Sequence, residues 1–563
     1  MHAHSVLARP KLFRSLRDYD GAKAVADLIA GVTVGLVALP LALAFAISSG
    51  LPPQAGIYTA IVAGGLISLL GGSRLQIGGP TGAFVVIVAG IVAKHGVDGL
   101  FVCTVMAGGM LVLLGATGMG SAVKFIPRPV VVGFTNGIAV LIASTQIRDV
   151  FGLEIDTIPT EFLPRLQLLA SNFWTWSPFA TALAGGAIAI ILIANQVSKR
   201  IPGAIIALCV ATFVAFAFGL PVETIGSRFG GIPAGLPSIR LPDFRVELLG
   251  GLIVPAMTVA LLGAIESLMS AMVADRMSGD RHDSNVELVA QGVANIASPL
   301  FGGLPATGAI ARTATNIRAG AQTPVAGVIH ALTLAAVLIV AAPLAGYVPL
   351  AVLAAILLVV AYNMGDWGEI PELLRLTKTD VMVWVVTFAL TVFADLTQAV
   401  GVGMVCAALL FIKRIADTTT VTPVTDEYVE AGHVHALQNQ TIPPYVRIYR
   451  IHGPFLFGAT DKLRAVLDDI QTLPPIVILR LRNMTALDAT GLRAFEELAQ
   501  ALRASGRSLL LCGARHQPAR LIARADFHRH IGDANICDNV TEALVRAREI
   551  RSAHDETSTQ PAA

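Results

Sequence analysis

Between residues 27 and 412 the chain returns repeatedly to uncharged apolar runs, and two of these runs are cut short by clusters of Gly, Pro and Thr. A hydrocarbon core of roughly 30 Å takes about 20 apolar residues of helix. Runs of that length fall near 27–48, 54–71, 97–119, 127–148, 175–197, 201–219, 250–274, 322–342, 379–396 and 398–412. Shorter ones near 80–93, 287–301, 309–320 and 350–363 bring the expected number of spans to fourteen. With 54% hydrophobic and 14% charged residues, the chain reads as a polytopic α-helical membrane protein.

Charge returns at soluble-domain density from about residue 425, in DKLRAVLDDI and LRAFEELAQALRASGR. The expected organisation is a polar cytoplasmic segment over 1–23, a transmembrane domain over 24–416, a linker over 417–436, a soluble domain over 437–552 and a disordered tail over 553–563. The first 23 residues carry no apolar core and no small-residue cleavage site, so no cleaved signal peptide is expected. A net charge of +2 gives no case for nucleic-acid binding. The five cysteines have no metal-ligand spacing; Cys103, Cys209 and Cys406 lie in apolar runs and are expected to be small buried residues. No HExxH, GxSxG or Walker sequence is present, which argues against an enzyme and against an ATP-driven pump.

Lys and Arg beside span ends favour the cytoplasm. Fourteen spans with the amino terminus inside put Arg9, Lys11, Arg14, Arg17, Lys23, Arg74, Lys124, Arg128, Lys199, Arg200, Arg276, Arg281, Arg318, Arg375, Lys378, Lys413 and Arg414 on the cytoplasmic side. Only Lys94, Arg148, Arg165, Arg228, Arg240 and Arg245 fall outside. Both termini, and with them the soluble domain, are therefore expected in the cytoplasm.

The interrupted runs point to function. After GGPTG, which starts at Gly78, about 13 residues remain before Lys94, or about 20 Å of helix at 1.5 Å per residue, enough for half the bilayer. Thr307 to Arg318, within GGLPATGAIARTATN, gives a similar half-length. Non-helical backbone at membrane depth survives only where protein buries it or a cavity hydrates it, and paired interruptions in two halves mark a transporter's midplane site. Seven spans per half make the repeats inverted, so the two half-helices meet end to end with their open N–H groups facing one volume. Such a place attracts an anion.

Arg312 would add a permanent positive charge there; the alternative is a structural pairing or an interfacial position. Thr81 with the amides of Gly82 and Ala83, and Thr307, Gly308, Ala309, Ile310 and Ala311, are the expected substrate contacts, although the threonines would serve equally as helix caps. Phe45 is expected to line the site from the first span. Glu266, deep in an apolar helix, suits a proton carrier or, if charged, a sodium ligand, and Ser270 one turn later shares its face. A structural partnership of Glu266 with Arg312 is the competing reading. His330 is expected to pack between helices with a satisfied hydrogen bond, and no metal site is expected in the charged loop from Asp275 to Asp283.

The stretches PLALAFAISSGLPPQAGIYTA, GGPTGAFVVI, AIESLMSAMVADRMSGDRHDSNVELVAQGVANIASPLFGG and LPATGAIARTATN resemble the sulfate permease (SulP) family of anion transporters over nearly the whole chain. The resemblance implies a seven-plus-seven inverted repeat, a core domain moving against a gate domain, homodimers and an anion site between the third and tenth spans. It places the anion-site arginine at Arg312 and the coupling carboxylate at Glu266. Sodium-coupled bicarbonate members resemble an aspartate there with a hydroxyl residue four later, matched by Ser270; the longer glutamate resembles proton-coupled members. Leu41 stands where many relatives have glutamine.

The tail resembles the domain shared by sulfate transporters and anti-sigma-factor antagonists (STAS). VRIYRIHGP alternates as a half-buried strand, IVILRL and SLLLCG read as buried strands, and ATDKLRAVLDDI and TGLRAFEELAQALRAS as amphipathic helices, giving a small α/β layer. Thr490 falls where the antagonists carry a phosphorylated serine, with helix capping by Asp488 or Thr490 as the plainer use. A cytoplasmic partner for this domain follows as an expectation. Together these readings predict a cytoplasmic-membrane secondary transporter of small oxyanions, sulfate first, by proton-coupled symport and without a cofactor. Bicarbonate or C4-dicarboxylate transport, with sodium as the alternative coupling ion, and an uncoupled anion channel are the competing readings.

Overall fold

The computed structural model describes residues 9–120, 127–155, 157–197, 202–233, 235–239, 246–394, 396–424, 442–468 and 470–558. The charges at Lys124, Lys199, Arg200, Arg240 and Arg245, most of the expected linker and the end of the expected tail lie outside the described residues. The chain forms two compact units, Met1–Val405 and Cys406–Ala563.

The membrane unit is built from α1 (Gly21–Ser48), α2 (Pro53–Leu70), α3 (Gly82–Ala116), α4 (Arg128–Phe151), α5 (Pro178–Val197), α6 (Gly203–Ala217), α7 (Val246–Ser278), α8 (Ser284–Leu300), α9 (Ile310–Arg318), α10 (Val325–Ala345), α11 (Leu350–Met364) and α12 (Lys378–Phe393), with α13 (Leu396–Thr418) leading into the second unit. Non-helical geometry at Gly96 divides α3, so its two parts, 82–95 and 97–116, are the third and fourth spans. Among the described residues, eight helices are long and apolar enough to cross a membrane; the other spans are the shorter α6, α8, α9 and α12, together with α13. The fourteen-span reading thus holds, with one kinked helix carrying two spans.

Two helix groups emerge from the packing. α1, α2 and α10 pack together, α3 packs on α7 and α8, and α9 lies against α7 and α1. α4 packs on α11 and α12, and α5 on α6 and α11. These are the core and gate domains.

The two interruptions are joined. β1 (Gly78–Gly79) and β2 (Thr307–Gly308) pair antiparallel, Gly78 opposite Gly308 and Gly79 opposite Thr307. Antiparallel pairing of equivalent positions is what an inverted repeat requires, because the two chains reach the midplane from opposite sides. Here the ladder satisfies backbone groups that hydrocarbon would leave unpaired.

Burial of cysteine follows from the bilayer and not from hydropathy alone. Cys103 is buried but Cys209 is exposed and Cys406 only half-buried, because a helix facing lipid has no reason to hide an apolar side chain.

The soluble unit holds a sheet ordered β3 (Thr420–Pro423), β4 (Val446–Phe455), β5 (Ile476–Leu487), β6 (Ser508–Cys512) and β7 (Ile536–Cys537), parallel except for the β3 edge. Helices α14 (Asp461–Asp468), α15 (Ala489–Ala504), α16 (His516–Arg524) and α17 (Val540–Ser558) complete it. β5 is buried on both faces along Ile476–Leu481, and Phe455 stacks on Phe495 at 5.3 Å beneath α15. Two expectations on extent change: Thr420–Pro423 within the expected linker is an edge strand, and α17 runs to Ser558, past residue 552. Edge strands and a terminal helix gain their order from packing, which local sequence does not display.

Asp488 caps α15, accepting from Gly491 N–H at 2.7 Å and from Phe457 N–H at 3.1 Å. Asp488→Ala removes both bonds and is expected to cost about 1–2 kcal/mol. Calorimetry of the full chain should show the soluble unit melting about 4–8 °C lower per kcal/mol lost. Thr490 lies exposed in the first turn of α15 and is not the cap.

Candidate anion site

A cavity of about 320 Å³ opens where the starts of α3 and α9 meet the gate helices. From the core it is lined by Leu41 and Phe45 of α1, Thr81, Gly82 and Ala83, Ile265, Glu266 and Met269 of α7, and Gly308 through Arg312. The gate contributes Val130, Phe134, Thr135 and Ile138 of α4 and Val360, Asn363 and Met364 of α11, with Asp366 beyond it.

Neither helix start has a side-chain cap. Phe84 N–H returns to Thr81 O, which leaves the Gly82 and Ala83 amides without a backbone partner among the described residues. On the second side Thr313 N–H returns to Ala309 O, and the Ala309 amide itself donates to Ile77 O at 2.8 Å. Ala309 is therefore spent on the fold, and the open amides at that end are those of Ile310, Ala311 and Arg312. Two uncapped helix starts facing one cavity concentrate partial positive charge there.

Arg312 sits at the third position of α9 and is 2% exposed. Its Nη2 donates to Pro80 O, and Nη1 has no hydrogen-bond partner among the described residues. Gly79 makes room for it: a Cβ there would stand 2.6 Å from Nη1, and φ of +146° also disfavours any other residue. The GGP sequence thus serves the arginine as well as the turn.

Glu266 also faces the cavity. Thr81 Oγ1 donates to its Oε2 at 2.9 Å, which ties α7 to the start of α3. Among the described residues Glu266 has no cation within ion-pair distance, so the direct Glu266–Arg312 pair is not made. The cavity therefore holds a carboxylate and a guanidinium side by side with an open N–H group between the helix starts.

Ser270 and Thr307 are buried but do not line the cavity. Ser270 Oγ lies 3.0 Å from Thr313 Oγ1, and Thr307 donates to Gly263 O at 2.8 Å. Thr313 accepts from Ile77 N–H at 3.0 Å, and Thr315 donates to Ala311 O. The Ser270, Thr307 and Thr313 hydroxyls tie neighbouring segments together and that of Thr315 returns to its own helix; none caps a half-helix. His330 departs from expectation: it is fully buried and neither ring nitrogen has a partner among the described residues. Thr135, Asn363 and Asp366 are polar wall residues that the sequence reading missed; the break after the short run at 350–363, in YNMGDW, was the available signal.

The sequence profile of the Sulfate permease family matches residues 25–387, and that of the STAS domain matches residues 437–543. The chain belongs to the sulfate permease family. YvdB of Bacillus subtilis (strain 168) is 41% identical over 529 residues, covering 93% of this chain and 98% of its own. The bicarbonate transporter BicA of Synechocystis sp. (strain ATCC 27184 / PCC 6803 / Kazusa) is 31% identical over 531 residues, covering 92% and 93%. Murine Slc26a9, an anion transporter solved in the inward-facing state, superposes with a TM-score of 0.85 at 18% identity over 98% of this chain and 96% of its own, a likeness of fold. This sulfate permease family member joins a helical membrane unit to a STAS domain.

Proposed function

We propose that this chain is a secondary active transporter of small inorganic oxyanions, sulfate first among them, working by proton-coupled symport and alternating access. It acts in the cytoplasmic membrane as a homodimer with both termini in the cytoplasm, and it is a transporter and not an enzyme. One observation carries the reading: an unpartnered Arg312 Nη1 and two uncapped helix starts face a cavity that also contains Glu266. The positive groups hold the anion, and Glu266 takes the proton that travels with it. Core and gate each supply one wall, so movement of one against the other would carry the site between the two sides.

YvdB carries the provisional name of a sulfate transporter, which supports sulfate. BicA favours a second reading, bicarbonate, and the apolar Leu41 in the wall leaves room for either anion. The STAS domain is the proposed seat of regulation, through Thr490 phosphorylation or a cytoplasmic partner.

The test is uptake of labelled sulfate by purified protein in liposomes, with and without an inward proton gradient and in competition with bicarbonate and fumarate. Gradient-driven accumulation blocked by sulfate-like anions is expected. Uptake of bicarbonate alone, or a sodium requirement, would replace substrate or coupling ion. Flux that never exceeds equilibrium would favour a channel.

A further inference from the structure

α8 contributes no residue to the cavity lining, yet it carries three fully buried polar side chains on one face: Glu287, Gln291 and Asn295, spaced four apart. Glu287 reaches toward the chain that leads into β1. Its Oε2 accepts from Gly72 N–H at 3.0 Å and Ser73 N–H at 3.1 Å, and its Oε1 from Ser267 Oγ at 3.2 Å and Gln291 Nε2 at 2.9 Å. Ser267, next to Glu266 on α7, in turn accepts from Gln76 Nε2 at 3.0 Å. The Gln76 amide lies against β2, where a Cβ on Gly308 would come within 1.8 Å of it.

Asn295 does the corresponding work on the other arm. Its Oδ1 accepts from Ala306 N–H and its Nδ2 donates to Ala306 O, each at 2.8 Å, a side-chain copy of a strand pairing placed immediately before β2. Nδ2 also donates to Gln291 O at 2.8 Å. Leu304 is held from both sides, its N–H by Thr59 Oγ1 and its carbonyl by Ser298 Oγ, each at 2.6 Å. One helix therefore grips both chains that enter the midplane, two turns apart, through fully buried groups.

We propose that Glu287 and Asn295 are positioning residues for the anion: α8 sets the offset between the two half-helix starts and so sets how tightly they close on one ligand. The inference rests on the reading that the anion sits at those starts. Four donors on one buried carboxylate make Glu287 hard to replace, because an apolar substitute orphans two backbone N–H groups. Losing either grip lets one arm shift along the other, which weakens an anion held by both although the Arg312 and Glu266 side chains themselves are kept.

The experiment measures concentration-dependent uptake by the full chain in liposomes, using labelled sulfate, or labelled bicarbonate should sulfate not be carried. Asn295→Ala and Glu287→Gln are expected to raise the half-saturating concentration about tenfold while the maximal rate stays within about threefold. Thr104→Val, which removes a buried hydroxyl bonded to Leu100 O outside this network, should leave the half-saturating concentration unchanged. Hydrogen exchange should quicken at 304–309 in the first variant and at 72–79 in the second. Asn295→Asp, which keeps the acceptor for Ala306 N–H, serves if the alanine variant does not fold, and should give a smaller shift in the same direction. Unchanged half-saturation in folded variants, or an equal rise in Thr104→Val, overturns the inference. An Arg312→Ala control separates the two claims: normal affinity there removes the site itself, whereas lost affinity there with normal affinity in the α8 variants removes only the role of α8.

Discussion

Arg312→Ala is expected to reduce anion affinity by about 10- to 150-fold, with the protein still folded and eluting like wild type in size-exclusion chromatography. A charge-assisted hydrogen bond in a buried site contributes about 1.5–3 kcal/mol, and about 2.8 kcal/mol corresponds to 100-fold. The affinity loss is expected from Nη1, which has no hydrogen-bond partner among the described residues, so its removal takes away the proposed ligand contact and not a pairing within the fold. Only the bond from Nη2 to Pro80 O is lost structurally, and that carbonyl gains access to the cavity once the side chain is gone. Arg312→Lys should recover part of the loss at most, since an ammonium keeps the charge but not the planar fork that reaches both Pro80 and the cavity. Isothermal titration or uptake competition with unlabelled anion checks both variants. Affinity within about threefold of wild type in Arg312→Ala would refute the assignment.

What the sequence made legible follows from which constraints are local. The spans were readable because bilayer thickness fixes a length, and the breaks at Gly78–Pro80 and Gly302–Gly308 were readable because Gly and Pro interrupt helices wherever they stand. Arg312 was conspicuous as a cation inside an apolar run. The α8 stripe was not, because Glu287 and Gln291 directly follow a charged loop and read as the polar end of a short run. The partners of Glu287, namely Gly72 and Ser73 in the loop before β1 and Ser267 on α7, come from elsewhere in the chain, and nothing in the local pattern names them. Thr81 shows the same limit: its position reads equally as a substrate contact or a cap, and the fold, while placing it in the cavity wall, turns its hydroxyl to Glu266, more than 180 residues away. Local rules found where the backbone breaks, and long-range packing decided what each polar atom does there.

Glu266→Gln is expected to remove the dependence of uptake on a proton gradient while leaving anion binding largely intact. The substitution keeps the carbonyl oxygen that Thr81 Oγ1 needs, so the tie between α7 and the start of α3 survives. What disappears is the ability to gain and release a proton beside Arg312. A wild-type symporter coupling one proton at zero membrane potential should accumulate anion about tenfold per inward pH unit, because each unit is worth about 1.4 kcal/mol. The glutamine variant should fill liposomes only to equilibrium, at a rate that no longer rises when the outside is acidified. Preserved affinity together with lost accumulation would separate coupling from binding, which a structural role for Glu266 does not predict, since misfolding would lower both. Accumulation by the variant equal to that of wild type would end the claim that Glu266 carries the proton. The absence of accumulation in wild type as well would leave Arg312 its anion and turn the reading to sodium coupling or a channel.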